Sequence, residues 1–149
     1  HMHVLAEITY RHVFRSGAEA GGFLGGGNLT FELAPNDEYQ GVSYTYMTAG
    51  MLGFIPLGTK YIGFDGKASI LPIAGMGDTV EELGKEATTF GYRVYLGLAS
   101  RLDMGLTLSA GAEYTAFQSD VSGEGRGGRI GQSASDGFIA LRFLAGYRF

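Results

Sequence analysis

Hydrophobic and polar residues alternate one by one along most of this chain. In the C-terminal stretch GFIALRFLAGYRF, the odd positions from Ile139 to Phe149 are apolar or aromatic, whereas Arg142 and Arg148 occupy even positions. Successive side chains of a β-strand point to opposite faces, so this pattern predicts a strand with one apolar and one polar face. An amphipathic helix would instead repeat about every 3.6 residues.

Six further stretches show the same alternation. In residues 3–15, Val4 and Ile8 lie on one face, opposite Glu7 and Arg11. The remaining five stretches are residues 28–34, 40–48, 61–70, 88–100 and 104–118. Together with the C-terminal stretch they predict seven clear strands, and hence an all-β chain.

An eighth, shorter strand is expected around Met51–Leu57. Residues 40–75 are too many for two ordinary strands, and a closed up-and-down barrel with both termini on one side needs an even number of strands. Long and short connections then alternate, with all the short turns on the side of the termini. The alternative explanation, a first strand that precedes residue 1, stays open.

The positions of the charged residues indicate which face points inward. The apolar faces of the predicted strands contain no Asp, Glu, Lys or Arg. The polar faces carry Glu7, Arg11, Glu32, Asp65, Lys67, Arg93, Glu113 and Arg142. An eight-stranded barrel has room inside only for side chains, and the many aromatic residues of the apolar faces would overfill it. We therefore expect a closed antiparallel transmembrane β-barrel whose apolar face contacts lipid and whose charges pair in the lumen.

Aromatic residues at the two ends of such a barrel are expected to lie at the membrane interfaces. The sequence contains no Trp, which is usually frequent there. The residues expected to replace it are Tyr10, Tyr44, Tyr46, Tyr92, Tyr114, Tyr147 and Phe149.

The length, the alternation and the terminal GYRF make the chain resemble small bacterial outer-membrane barrels of the OmpA/OmpX type. The resemblance implies that Phe143, Tyr147 and Phe149 belong to an assembly signal read by the barrel-assembly machinery. It also implies a bacterial outer-membrane location, a monomer, and contact with membrane lipids and lipopolysaccharide. It implies no particular activity.

Composition agrees with a single β domain spanning residues 1–149. The chain has 26 Gly but only 3 Pro, and 9 Tyr and 10 Phe, which suits strands and turns better than helices. It has no Cys, which excludes disulfides and thiolate metal sites, and its net charge of -4 argues against nucleic-acid binding. Residues 1–2 are interpreted as vector-derived, and a signal peptide is expected to have been removed.

A lipid-modifying enzyme is the least favoured function. Small outer-membrane barrels that deacylate or palmitoylate lipid A use His together with Ser and an acid. His12 is the only His well inside the chain, and no His-x-Ser pair accompanies it. His12 is therefore interpreted as an interfacial residue, because general base catalysis needs a partner within hydrogen-bond reach.

Metal and cofactor sites are not expected. The acidic residues Asp78, Glu81, Glu82 and Glu86 offer oxygen ligands, but they are interpreted as a solvated loop rather than a cation site. The glycines of GFLGGGN lack the strand-to-helix context of a nucleotide-binding loop, so this stretch is interpreted as a turn or loop. The long stretch Gln118–Asp136 is interpreted as a mobile surface loop.

Three functions remain, in this order. The first is a structural or surface-interaction barrel with a side-chain-filled lumen, which the equal numbers of acids and bases favour. The second is a narrow conduit or binder for a small molecule, and the third is a lipid-modifying enzyme.

Overall fold

Seven long strands make up the fold. The structure is a computed structural model that describes residues 2–31, 42–75, 86–102, 105–124 and 133–147. The strands are β1 (Met2–Val13), β2 (Glu19–Phe31), β3 (Val42–Leu57), β4 (Thr59–Gly75), β5 (Glu86–Arg101), β6 (Leu106–Ser122) and β7 (Ser133–Tyr147). Each strand pairs antiparallel with the one before it, which gives a single up-and-down sheet in the order β1 to β7. The described ranges contain no helix long and apolar enough to cross a membrane.

Tight turns connect the strands at one end of the sheet. Between β1 and β2, the Phe14 amide donates a hydrogen bond of 2.9 Å to the Ala18 carbonyl, and Gly17 has a φ of 80°. Between β5 and β6, the Leu102 amide donates to the Leu106 carbonyl at 2.8 Å, and Gly105 has a φ of 86°. Only Gly adopts such positive φ values without strain, so these two glycines fix the short turns.

The sheet is curled into a half-barrel. Side chains from distant strands meet on its concave face: Arg93 of β5 donates to Glu7 of β1 at 3.0 Å, and Arg101 of β5 donates to Glu19 of β2 at 2.8 Å. The edge strands β1 and β7 are not hydrogen-bonded to each other in the described part of the chain. The described strands therefore form a curled sheet with two edges, and a closed ring is not observed.

A separate eighth strand at Met51–Leu57 is a wrong prediction. Residues 42–57 form one continuous strand of 16 residues. Gly50, immediately before the expected extra strand, lies within the ladder and pairs with Phe23 and Ser69. A Cβ at position 50 would collide with the Ala68 carbonyl and with the Phe23 ring, so this Gly accommodates its neighbours rather than ending a strand.

The prediction of a turn at GFLGGGN is also wrong, because this segment lies inside β2. The glycines leave room for side chains on the concave face. A Cβ on Gly25 would collide with the Ala6 carbonyl and would lie 2.8 Å from the Glu7 Cγ. Likewise, the stretch Gln118–Asp136 is not wholly a loop, since β6 continues to Ser122 and β7 begins at Ser133.

The number of strands also determines the end of the sheet at which each chain terminus lies. Both termini were expected at the end with the short turns. With seven strands, β7 finishes at that end but β1 starts at the opposite one, where β2 finishes and β3 starts. We call this opposite end the distal end.

Near the distal end the concave face is apolar and the convex face is polar, the reverse of the rest of the sheet. Tyr44 and Tyr46, expected at a membrane interface, are 0% and 3% exposed and lie on the concave face. They belong to a core cluster of Leu29, Tyr44, Tyr46, Leu71, Phe117 and Val121. The convex face is polar here, since the Asn28 side chain donates to the Ser43 and Thr45 hydroxyls at 3.2 and 3.0 Å. The interface positions of these two tyrosines were therefore wrong.

The other predicted interface aromatics face outward. Tyr10 and Tyr147 are 73% and 61% exposed, and the rings of Tyr92 and Tyr114 lie 5.9 Å apart on the convex face. Phe149 lies outside the described residues.

Candidate functional site: the charge network of the concave face

A chain of alternating charges crosses the concave face from β1 to β7. Arg93 is at its centre and is 2% exposed. Its Nη2 donates to Glu7 Oε1 at 3.0 Å, and its Nε lies 4.0 Å from Glu113 Oε2. The Arg142 Nη1 donates to the same Glu113 oxygen at 2.5 Å, and the Lys67 ammonium donates to the second oxygen of Glu7. We call these five residues the central network.

Two neutral groups complete the surroundings of Arg93. The Tyr46 and Thr48 hydroxyls accept hydrogen bonds from its guanidinium at 3.4 and 3.3 Å. Such a buried guanidinium is stable only when carboxylates and hydroxyls replace its water shell, and here they do. The alternation of β1, β3 and β5 brings these groups to one side of the sheet.

A second cluster lies nearer the short turns and is centred on Glu19. The side chain of Glu19 is fully buried. Arg101 donates to both of its oxygens, at 2.5 and 2.8 Å, and Arg11 donates to one of them at 3.2 Å. The Arg101 guanidinium also lies 3.5 Å from the centre of the Phe54 ring. This two-point contact and the ring stacking are typical of a guanidinium held in a fixed orientation.

Glu19 and Arg101 were not among the predicted site residues. Both residues were assigned to connections, so neither entered the predicted set. The buried residues of β2 are Glu19, Phe23 and Leu29, and all three occupy odd positions. The shared odd positions of Glu19, Phe23 and Leu29 were therefore the available sequence signal, but the glycines between them obscured the strand.

An aromatic layer fills the concave face near the distal end. The rings of Tyr44 and Phe117 stack at 4.0 Å with an interplanar angle of 6°, and Phe138 of β7 meets both edge-on at 6.4 Å. The Tyr44 hydroxyl donates to Asp136 of β7. The Tyr46 hydroxyl, which Arg93 contacts, is also hydrogen-bonded to His3 of β1, so it joins this layer to the central network.

The predicted lumen residues separate into three groups. Five of them meet in the central network, namely Glu7, Lys67, Arg93, Glu113 and Arg142. Arg11 instead pairs with Glu19, and together with Asp65 and Arg101 it lines a cavity of about 360 Å³. Glu32 lies outside the described residues.

The predicted assembly-signal residues lie on the convex face where they are described. Phe143 is 81% exposed and Tyr147 is 61% exposed. Their apolar side chains continue an outward row with Ile139 and Leu141, which are 80% and 78% exposed.

The candidate catalytic and metal-binding residues do not assemble into a site that the structure describes. His12 is exposed, and its ring meets Phe14 edge-on at 4.8 Å. Asp78, Glu81 and Glu82 lie outside the described residues, as does the side chain of Glu86. Among the described residues, no three His, Asp or Glu side chains are arranged to hold a metal ion.

No protein-family model, curated protein or solved structure matches this chain.

Proposed function

We propose that this chain forms a small bacterial outer-membrane barrel with a filled polar lumen, and that it acts as a structural or surface-interaction protein rather than an open pore. The main support for this proposal is the exposure of large apolar side chains on the convex face. Ile8 is 85% exposed, Phe143 81% and Met51 73%.

The same face is almost free of charge. Among the outward side chains described in the strands, Asp120 is the only Asp, Glu, Lys or Arg, and it lies near the distal end of β6. Water-soluble monomers rarely expose continuous apolar surface beyond a few hundred square ångströms. A band of apolar side chains around a barrel is what a bilayer requires.

The concave face supports a closed lumen. The central network and the Glu19 cluster pair the buried charges across strands, and the stacked Tyr44 and Phe117 rings occupy the space near the distal end. Side chains that contact one another directly across the interior favour a filled lumen over a continuous water-filled path. This filling matches the size of an eight-stranded barrel, whose interior holds side chains only.

Purified protein refolded in detergent tests the proposal in two steps. A closed barrel is expected to migrate differently in gel electrophoresis before and after boiling, because boiling opens the ring. Reconstituted in a planar bilayer, the same sample is expected to show no steady ion conductance. Identical mobilities would contradict the barrel, whereas reproducible single-channel currents would contradict the filled lumen.

A narrow conduit or small-molecule binder is the second candidate. The cavity of about 360 Å³ that contains Arg11, Asp65 and Arg101 favours it, since these charged groups could contact a polar solute. The conductance measurement separates the two candidates, because a conduit needs a path past the aromatic layer as well.

A further inference from the structure

The cavity of about 360 Å³ lies on the concave face beside the short turns. Small residues form part of its wall: Ala99 and Ser109 are ladder partners on β5 and β6, and Gly146 of β7 pairs with Thr107 of β6. A Cβ on Gly146 would meet no atom within 4 Å. Ligand pockets usually measure about 300–1,000 Å³. The cavity is therefore large enough for a small solute.

Two polar groups at the inner end of this cavity have no partner among the described residues. The Asp65 carboxylate lines the cavity, is half-buried, and makes no hydrogen bond or ion pair with another described residue. The Tyr95 side chain is 4% exposed, and its hydroxyl makes no hydrogen bond. Buried polar groups normally have partners, so the two groups together point to a ligand.

The ladder places these two groups at one level of the sheet. The Tyr95 hydroxyl lies over Gly97, because a Cβ on Gly97 would collide with it. Gly97 is the ladder partner of Asp65, and the next inward residue toward the short turns is Ala99, which lines the cavity. The Tyr95 hydroxyl is thus directed along β5 toward the cavity and lies beside Asp65 on the concave face.

Arg11 and Arg101 bring positive charge to the same cavity. Both guanidinium groups donate to Glu19. Arg11 uses one N–H in that contact and its side chain is 39% exposed, so other N–H groups of its five can reach a ligand. Two arginines thus stand against two carboxylates, those of Glu19 and Asp65. A cation would approach both arginines and an anion both carboxylates, whereas a solute with both charges can match each to its opposite.

We propose that this cavity binds a small zwitterion, with its ammonium group on Asp65 and its carboxylate on Arg11. The Tyr95 hydroxyl accepts a further hydrogen bond from the ammonium group. This inference deepens the second candidate function and rests on the proposed barrel. It agrees with a lumen closed to ions, because Arg93 and its partners lie between the cavity and the distal end.

Three matched solutes test which charges the cavity recognises. Saturation-transfer NMR titrations of the protein in detergent compare γ-aminobutyrate, a zwitterion, with butyrate and butylamine, each of which lacks one of its charges. Each missing charge removes a hydrogen bond between charged groups, so both analogues are expected to bind at least about tenfold more weakly. Butyrate or butylamine binding as tightly as γ-aminobutyrate would overturn the proposal.

Asp65→Asn tests the partner of the ammonium group, since it keeps the shape of the side chain but removes its charge. The substitution is expected to weaken γ-aminobutyrate binding by about tenfold or more. Asp120→Asn is the matched control, because Asp120 points outward near the distal end and lies away from the cavity. It is expected to leave the affinity unchanged. Equal affinities of Asp65→Asn and the parent would contradict the proposed contact.

Gly146→Leu tests the cavity itself. The new side chain enters open space, so it is expected to abolish γ-aminobutyrate binding while the unboiled mobility in gel electrophoresis stays normal. Gly66→Leu is the control, because it adds the same side chain to the convex face, where its Cβ would meet Leu96 Cδ2 at an ordinary 3.5 Å. Undiminished binding to Gly146→Leu would place the solute elsewhere and overturn the proposal.

The mobility shift and the conductance of the parent report on the proposed function separately. If the parent behaves as a closed barrel but does not bind γ-aminobutyrate, only the zwitterion site is wrong. If the parent shows no mobility shift, the proposed barrel is wrong and the site falls with it. Should one variant fail to fold, the three solutes on the parent and the other variant still decide the outcome.

Discussion

Arg93 is the residue on which the concave face depends most. It contacts two carboxylates and two hydroxyls while being 2% exposed. Its removal would leave Glu7 with Lys67 and Glu113 with Arg142, so each carboxylate would keep one cationic partner and lose the other. A hydrogen bond to a charged group contributes about 1.5–3 kcal/mol.

We predict that Arg93→Met lowers the free energy of unfolding by about 1.5–3 kcal/mol, because Glu7 and Glu113 each lose one of their two cationic partners. Urea unfolding in detergent micelles measures the change. Arg15→Met is the matched control, since Arg15 lies exposed in the turn after β1 and its replacement should change stability by about 0.5 kcal/mol or less. Equal unfolding midpoints for the two variants would contradict the central role of Arg93.

At the scale of the strands, the sequence predicted most of the sheet. The alternation correctly predicted strands at β1, β4, β5, β6 and β7. It also separated charged from apolar faces along most of their length. It failed where glycines follow one another. The run of Gly in β2 suggested a turn, and the expected extra strand implied a break next to Gly50 in β3. Local sequence does not reveal a neighbouring group that needs the space a Gly leaves.

The placement of Tyr44 and Tyr46 failed for a different reason. Alternation distinguishes two faces but not which one is inside, and we assigned every apolar face to the outside. The concave face is apolar near the distal end and charged farther along, and only the assembled strands show this division. The pairing of Glu19 with Arg101 was equally hidden, since the two residues are 82 positions apart.

The glycines of β2 yield a prediction for that element. Gly25→Ala should destabilise the sheet by about 1–3 kcal/mol, because the new Cβ collides with the Ala6 carbonyl and crowds Glu7. Gly22→Ala is the matched control in the same strand, since its Cβ would meet the nearest atom, the Gly50 carbonyl oxygen, at an ordinary 3.5 Å. The urea midpoints of the two variants in detergent provide the measurement. A Gly22→Ala loss as large as that of Gly25→Ala would mean that Gly in β2 is needed for flexibility rather than for space.

The last strand yields a prediction about assembly. If the C-terminal aromatic is part of a recognition signal, deleting Phe149 should reduce the amount of protein in the outer membrane of cells far more than it reduces refolding in detergent. Membrane fractionation and refolding yield are compared for the deletion and for Phe149→Tyr, which keeps a terminal aromatic. Undiminished outer-membrane levels after the deletion would contradict the assembly-signal interpretation.

For the molecule as a whole, the proposed membrane insertion depends on whether the convex face contacts lipid or water. Leu96 lies at mid-height of the sheet, where it pairs with Gly66 and Ala112, and is 68% exposed. Leu108 points outward from the third position of β6, close to the short turns, and is 45% exposed. The two Leu residues therefore lie at different heights on the convex face.

In a bilayer, Leu96→Arg should cost about 2–4 kcal/mol and Leu108→Arg about 1 kcal/mol or less, because the penalty of an outward charge falls from the midplane to the interface. Unfolding from lipid vesicles in urea measures both variants. On a water-exposed surface, both substitutions would instead stay within about 0.5 kcal/mol of the parent. Equal and small effects would therefore contradict membrane insertion.

The sequence distance across the charge network has a consequence for how the protein folds. Glu7 and Arg93 are 86 residues apart, and Tyr44 and Asp136 are 92 apart, whereas each strand ladder joins neighbours in the chain. Closing a contact between distant residues costs more chain entropy than closing a hairpin, so we expect the hairpins to form before the charges meet. On this order Glu7, Arg93 and Glu113 stay hydrated until the sheet curls and lose water only as their partners arrive. We therefore expect the network to form late and to stabilise the curled sheet over a flat one.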